Sequence, residues 1–364
     1  MRDRGMDGLL VLSEANISYL TGYEGFSDYV PQAVLVTQDA DPKLIVREMD
    51  LACATQTCWL PDANILTYAE RYIGAPDVTA WEPIGDLARS AVAPDRLGVE
   101  MTAGIFGPKA YRSLLRSVGS DELLDGDGLV ASCKRIKSPA EVLYIEEASA
   151  IVDNAMRVGC SLIGEGVRQA DVAAGVMQAL IAGVDGIAGG PPRPPTMSIG
   201  RIANAPHLKW SDRRYEKGQQ TNFEMAAFRH RYACALSRTV FLGDPPARLR
   251  HLHEAVLTGF EAALGAMGPG AVVAEVERSF RRAFEPFGVR KESRIGYSIG
   301  LDWTDGGASL HSDNDTALEP GMVLHLIIGI WERTEGYVFS EVVKITDAEA
   351  RALSTVPREL FVRL

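Results

Sequence analysis

The sequence predicts an α/β (α+β) protein of two domains, a mixed-sheet domain over residues 1–131 and a helix-and-strand domain over residues 132–364. Three observations carry this. Short apolar runs bounded by Gly, Asp or Pro alternate with helical stretches in the first third. A helix-start signal stands at Ser138-Pro139-Ala140-Glu141. After it come two helices, a strand pair, two more helices and three strands.

In the first domain, Leu9–Leu12, Ala33–Val36, Leu44–Val46 and Leu97–Val99 are the strand candidates. The chain reaches the first of them almost at once, which leaves room for a helix missing ahead of it. Leu20 to Phe26 is a turn rich in aromatics and glycine, read as a surface loop or a binding lip.

At the boundary, Ser138 suits an N-cap, Pro139 the first helical position and Glu141 the capping-box position. Tyr144, Ala148, Ile151, Ala155 and Val158 then recur at helical period until Gly164 to Gly166. A second helix spans about Asp171 to Ala182, with Val172, Val176 and Leu180 on one face. The Gly-Gly-Pro-Pro-Arg-Pro-Pro run from Gly189 to Pro195 excludes helix and central strand, so it is a loop. Pro245-Pro246 opens a third helix, with Leu249, Leu252, Val256 and Ala263 aligned, and Val273 opens a fourth, with Val276, Phe280, Ala283 and Phe287. Ser293–Gly300, Met322–Trp331 and Tyr337–Ile345 are the last strand candidates.

Composition narrows the function classes. The chain of 364 residues is 46% hydrophobic and 23% charged, as a globular protein should be. A formal charge of −11 argues against a nucleic-acid surface or a polybasic membrane patch. No apolar run approaches the ~18 residues of a membrane span, and the N-terminus lacks a secretory signal pattern. The five scattered cysteines contain no CxxC pair, which fits reduced thiols in a cytoplasm better than disulfides or a zinc site.

The stretch from Asn204 to Thr239 concentrates the chemistry. His207 follows a proline, and Glu224 lies between Phe223 and Met225 in a strand-like run. A carboxylate there is costly to bury unless it is paired, protonated or used. It is either a buried acid neutralised by Arg238 or Arg294, or a working group. His207 is a loop histidine or a proton shuttle, since an unperturbed imidazole titrates near ~6.5. His325, inside the apolar run VLHLII, faces core or pocket, while His230, His251, His253 and His311 read as solvated.

The order of these features, with RIKSPAEVLYIEEASAIVDNAM, NAPHLKW, GQQTNFEMAAFRHRYACALSRTVFLG, GYSIG, LEPGMVLHLIIGIW and GYVFSEVVKIT, resembles the creatinase/aminopeptidase family with its pita-bread catalytic domain. The resemblance covers about residues 130–347 closely and the first 130 in outline, implying a creatinase-like N-terminal domain. Metal-dependent members bind two metals through two Asp, one His and two Glu. Those positions fall here on Glu224, Ala235, Tyr297, Ile327 and Glu341. Alanine and isoleucine carry no donor atom, so no catalytic metal and no other cofactor is expected, and a metal-dependent proline peptidase is disfavoured.

Among metal-free branches, the chain is most similar to the ectoine hydrolases, through APHLKWSD, FEMA, SRTVFLG, RIGYSIG, TGYEGFSDYVPQ and Cys58-Trp59. One departure lies between Gly300 and Ser309, where LDWTDGGA is shorter than in that branch. The resemblance implies hydrolysis of a C–N bond in a small cyclic amidine, with ectoine opened to N-acetyl-2,4-diaminobutyrate. Creatinase-like cleavage of another guanidine, amidine or cyclic amide is the alternative; a proline dipeptidase-like enzyme and a non-catalytic binding module follow at a distance.

On this reading Glu224 attacks the amidinium carbon or activates water, His207 shuttles the proton and Glu341 holds the cationic nitrogens. Two neighbouring carboxylates need a cation between them, which favours a cationic or zwitterionic substrate. Tyr297, Trp210, Trp303, Trp331 and His325 are candidates for the pocket wall, and Arg294 for the substrate carboxylate. The resemblance further implies a homodimer in which a lip around Tyr23 to Tyr29 caps the partner's pocket.

Overall fold

The Ser138 signal works as a capping box. The Ser138 hydroxyl accepts from the Glu141 amide at 3.4 Å, and the Glu141 carboxylate accepts from the Ser138 amide at 2.7 Å. The helix it starts opens the second of two units, Met1–Cys133 and Lys134–Leu364. They are seen in a computed structural model that describes residues 1–364 except Phe26, Asp28 and Pro76. Phe26 and Asp28 belong to the expected lip, and that part of it lies outside the described residues.

In the first unit the chain runs β1 (Gly8–Val11), α1 (Glu14–Thr21), β2 (Ala33–Thr37), β3 (Lys43–Arg47), α2 (Leu51–Thr57), β4 (Ile65–Tyr68), α3 (Trp81–Ala91), β5 (Leu97–Val99), α4 (Pro108–Val118) and β6 (Leu124–Asp125), with a short α5 (Leu129–Lys134) at its end. The six strands form one mixed sheet in the order β4-β3-β2-β1-β5-β6. Its central strand β1 is buried at every position, which is why it reads as a continuous apolar run. Tyr23 is 2% exposed and its hydroxyl accepts from Gln32 Nε2 at 3.0 Å, so this end of the expected lip is core.

The second unit contains α6 (Pro139–Leu162), α7 (Gln169–Ala182), β7 (Thr196–Ile199), β8 (Gln220–Arg229), β9 (Tyr232–Leu242), α8 (Ala247–Ala266), α9 (Val273–Phe284), β10 (Gly296–Gly300), β11 (Trp303–Leu310), β12 (Val323–Trp331), β13 (Gly336–Ile345), β14 (Ala350–Ala352) and β15 (Phe361–Arg363). One sheet takes the order β11-β10-β12-β13-β9-β8-β7, with β14 added to β13 and β15 to β9. The helix pairs cover it in two patches. Ile145, Val152, Met156 and Val176 pack with Phe223 and Met225, while Val256, Phe260 and Phe280 pack with Leu326, Ile328 and Phe339.

Side chains alternate across a strand, so the register decides which residues share the face away from those helices. Glu224 pairs with Thr196 on β7 and Ser237 on β9; Ser237 pairs with Ser340 on β13, and Ser340 with Ile327 on β12. Tyr297 pairs with His325. These residues line one face. Phe223, Arg238, Phe339 and Glu341, one residue out of step, line the other.

The segment LDWTDGGA, absent from the strand candidates, begins as a tight turn and continues as β11, paired to β10 with a register shift between Tyr297 and Ile299. Its glycines hid the strand, because they lower strand propensity and here sit at an irregular pairing. Lys137 and Asp305 form an ion pair with both side chains 1% exposed, tying the start of the unit to β11.

Candidate active site

A cavity of about 500 Å³ opens on the face that carries Glu224. Glu224, His207, Tyr297 and Trp303 line it, together with Arg193, Pro194, Thr196, Met225, Ala226, Asp302 and Thr304. The first four were expected from the sequence; Arg193, Thr196, Asp302 and Thr304 were not.

The β8–β9 hairpin supplies Glu224. Its two-residue turn, His230-Arg231, holds both residues at positive φ, 45° and 66°. Such a turn suits the twist of paired strands but normally selects Asn or Gly. Contacts outside the hairpin hold it here: the His230 ring lies 4.6 Å from Tyr144, and Arg231 makes a bidentate ion pair with Asp302. Asp302, in the turn between β10 and β11, and Trp303, the first residue of β11, are themselves at positive φ, 60° and 95°. The Asp302 amide donates to the Arg231 carbonyl at 2.8 Å. Two strained turns thus brace one another, and the result is an indole aimed at the cavity.

That indole donates from Nε1 to the Tyr297 hydroxyl at 2.9 Å. Behind Tyr297 lies His325, fully buried, with Nδ1 at 3.1 Å from the same hydroxyl and Nε2 at 2.8 Å from Ser340 Oγ. Burial, with a smaller contribution from Arg294, pushes the His325 imidazole down to about 3, so it is neutral near pH ~7. Burial pushes the Tyr297 phenol up to about 12.

Glu224 has no ion-pair or side-chain hydrogen-bond partner among the described residues. Desolvation alone pushes its carboxyl up to about 7. The same acid can therefore serve as a carboxylate or a proton carrier near neutral pH. His207 is exposed at the cavity rim, on the turn after Pro206. Arg193 donates from Nη2 to the Asp302 carbonyl at 3.0 Å and has no carboxylate partner among the described residues. The nearby Asp302 carboxylate is taken by Arg231.

Several expectations need correction. Glu341 does not face Glu224. It is on the helix-covered face, fully buried, accepting from Arg238 Nη2 at 2.8 Å and from Arg358 Nη2 at 2.9 Å. The residue of β13 that faces the cavity side is Ser340. Arg294 is exposed and lies over the Tyr297 ring at 4.4 Å, bonded to Ser309 Oγ at 2.9 Å, outside the cavity lining. Trp210 packs half-buried against the core under α6 and α7, and Trp331 covers Gly329; neither lines the cavity. His253 is half-buried with Nδ1 2.7 Å from the Tyr337 hydroxyl, and His251 Nε2 lies 2.9 Å from the Phe287 carbonyl, so neither is simply solvated.

The model of the metallopeptidase family M24 matches residues 144–347, and that of the creatinase/prolidase N-terminal domain matches residues 1–136. An uncharacterized hydrolase/peptidase of Sinorhizobium fredii is 35% identical over 98% of this chain and 92% of its own. The ectoine hydrolase of Halomonas elongata is 34% identical over 100% of this chain and 94% of its own. Among solved structures, the prolidase of Pyrococcus horikoshii superposes with a TM-score of 0.83 at 22% identity, covering 99% of this chain and 97% of that one.

The residues do not fit the dinuclear metal centre that the family's name implies. Of the five positions that the resemblance assigns to the metal ligands, Ala235 and Ile327 offer no donor, Glu341 points to the opposite face and leaves Ser340 on this one, and Tyr297 is a phenol engaged with Trp303 and His325. Glu224 alone remains as an anionic donor on that face, and one carboxylate does not hold two cations. Among the described residues no group of three or more His, Cys, Asp or Glu is placed to hold a metal ion.

Proposed function

The chain belongs to metallopeptidase family M24, with a creatinase/prolidase N-terminal domain ahead of it, and on that premise we propose a metal-independent hydrolase of a small cyclic amidine, namely ectoine, opened to N-acetyl-2,4-diaminobutyrate. The observation that carries this is Glu224. A desolvated carboxylate with no counter-charge among the described residues faces a cavity large enough for a small ring. A cationic amidinium supplies the missing charge, and the resulting ion pair draws Glu224 into its ionised form.

Arg193 gives the cavity wall a cation with no carboxylate partner among the described residues, suited to the carboxylate of a zwitterion. Ionised Glu224 then attacks the amidinium carbon, or takes the proton of the water that does. The C–N π pair moves onto nitrogen, and one ring C–N bond breaks as its nitrogen takes up a proton and leaves as the amine. On the covalent path, water cleaves the link to Glu224. His207, exposed at the rim, exchanges the proton with solvent. Trp303 and Tyr297 provide a wall of aromatic surface against which a delocalised cation is favoured. The family resemblance supports a homodimer as the working form.

The test is incubation of chelator-treated protein with ectoine and, separately, with an Xaa-Pro dipeptide. Release of N-acetyl-2,4-diaminobutyrate, unaffected by the chelator, is expected. Cleavage of the dipeptide alone, restored by added divalent metal, would replace this reading with a prolidase one.

A further inference from the structure

We propose that Trp303 and His325 occupy both lone pairs of the Tyr297 hydroxyl, so that Tyr297 acts towards the cavity only as a hydrogen-bond donor, with His325 as the positioning residue that enforces it. The inference deepens the reading given above and rests on it for the identity of the substrate.

Ser340 is fully buried, and its hydroxyl has one partner among the described residues, His325 Nε2 at 2.8 Å. The neighbouring Ser237 hydroxyl, paired with Ser340 across the strands, is buried without a partner among the described residues, so it does not accept the Ser340 proton. A buried hydroxyl hydrogen without an acceptor is costly. The Ser340 proton therefore goes to Nε2, and Nε2 is the bare nitrogen of the ring. His325 is neutral, held so by its burial, and its single proton is then on Nδ1. Nδ1–H donates to Tyr297 at 3.1 Å and Trp303 Nε1–H donates at 2.9 Å. Indole is a donor only, so its sense is not in question. With two donors received, the phenol has its own proton left, and the remaining direction is the cavity that Tyr297 lines.

A donor-only group discriminates between ground and transition states of this substrate class. The nitrogens of a protonated amidine share their lone pairs with the central carbon and carry hydrogens, so they offer Tyr297 no acceptor. When an oxygen nucleophile bonds to that carbon, the C–N π pair withdraws onto a nitrogen, which becomes a hydrogen-bond acceptor. The Tyr297 donor gains its partner only then, which is the condition for accelerating the chemical step. Any negative charge that gathers on the phenol oxygen is met by the two donors already in place.

The test has two arms. In the first, wild-type protein labelled with 15N-histidine is examined by NMR, with the His325 signals assigned by substituting the other five of the six histidines in turn. The expected spectrum shows a neutral ring protonated at Nδ1 and bare at Nε2 across about pH 5 to 8, and Ser340→Ala shifts the proton towards Nε2. A wild-type ring protonated at Nε2 overturns the proposal. In the second arm, Tyr297→Phe is expected to lower kcat on ectoine by roughly 100-fold with KM within about threefold. Wild-type kcat, or a loss confined to KM, overturns it. If the wild-type enzyme does not turn over ectoine, the substrate reading fails by itself, and the tautomer still decides whether Tyr297 is a donor only.

Discussion

Arg238 donates from Nη2 to Oε1 of Glu341 at 2.8 Å, and neither side chain is more than 1% exposed. The guanidinium also reaches the carbonyls of Ser237, Ser340, Val356 and Pro357, so it binds β9, β13 and the C-terminal segment into one knot. Two of those carbonyls belong to Ser237 and Ser340, whose side chains lie on the opposite face of the sheet, the one that carries Glu224. Glu341→Gln leaves that buried guanidinium with no ion-pair partner among the described residues and takes the same carboxylate from Arg358. Loss of stability of about 3–5 kcal/mol is expected, read by urea unfolding. The fraction that remains folded should keep its KM, because Glu341 does not touch the cavity.

The opposite is expected at Glu224. Its folded-state pKa, about 7, lies above the ordinary value of 4.5 because burial disfavours the charge. Between those two values the folded protein holds a proton that the unfolded chain has lost, so stability falls as pH rises through the interval. The full penalty, at most about 3 kcal/mol, is present above the folded pKa. Glu224→Gln should remove this slope and be at least as stable as wild type at pH ~8. Unfolding free energies of the two proteins at a series of pH values check it.

Affinity for a cation should run the other way. Only ionised Glu224 attracts an amidinium, so ectoine binding should strengthen as pH rises through about 7 and level off above it. Calorimetric titration of the Glu224→Gln variant, which cannot ionise, should show weak binding without that pH dependence.

Arg193 is expected to read the substrate carboxylate. Arg193→Gln should weaken ectoine by about tenfold, the effect of one partly exposed charge-assisted contact, and should leave the carboxamide analogue of ectoine nearly unaffected. Equal losses for both compounds would assign Arg193 to holding the Asp302 turn instead.

How much of this was legible beforehand follows from local chemistry. The boundary helix was readable because a capping box is a short-range device with fixed spacing, seen at Ser138 and Glu141. Glu224 was readable because an acid between apolar neighbours in a strand is out of place. Glu341 misled for the same reason. It too is an acid in an apolar strand, but its cations, Arg238 and Arg358, come from other segments, and a shift of one residue along a strand reverses the face. The alternation in Phe339-Ser340-Glu341-Val342, set against His325, held that information, since Ser340 and His325 both carry hydrogen-bonding groups towards the same side. Arg193 was hidden in a Pro-rich loop whose path no periodicity predicts, and the Arg231–Asp302 brace joins residues 71 apart in the chain. A lone cation among prolines was the one available signal.

The most direct measurement is turnover of ectoine by wild-type protein and Glu224→Gln side by side at pH ~8, with N-acetyl-2,4-diaminobutyrate followed by mass spectrometry. Product is expected from the wild type, with at least a roughly 1,000-fold lower rate from a variant that remains folded. Comparable rates from the two proteins would contradict it, because Glu224 would then be a buried acid with no part in the chemistry.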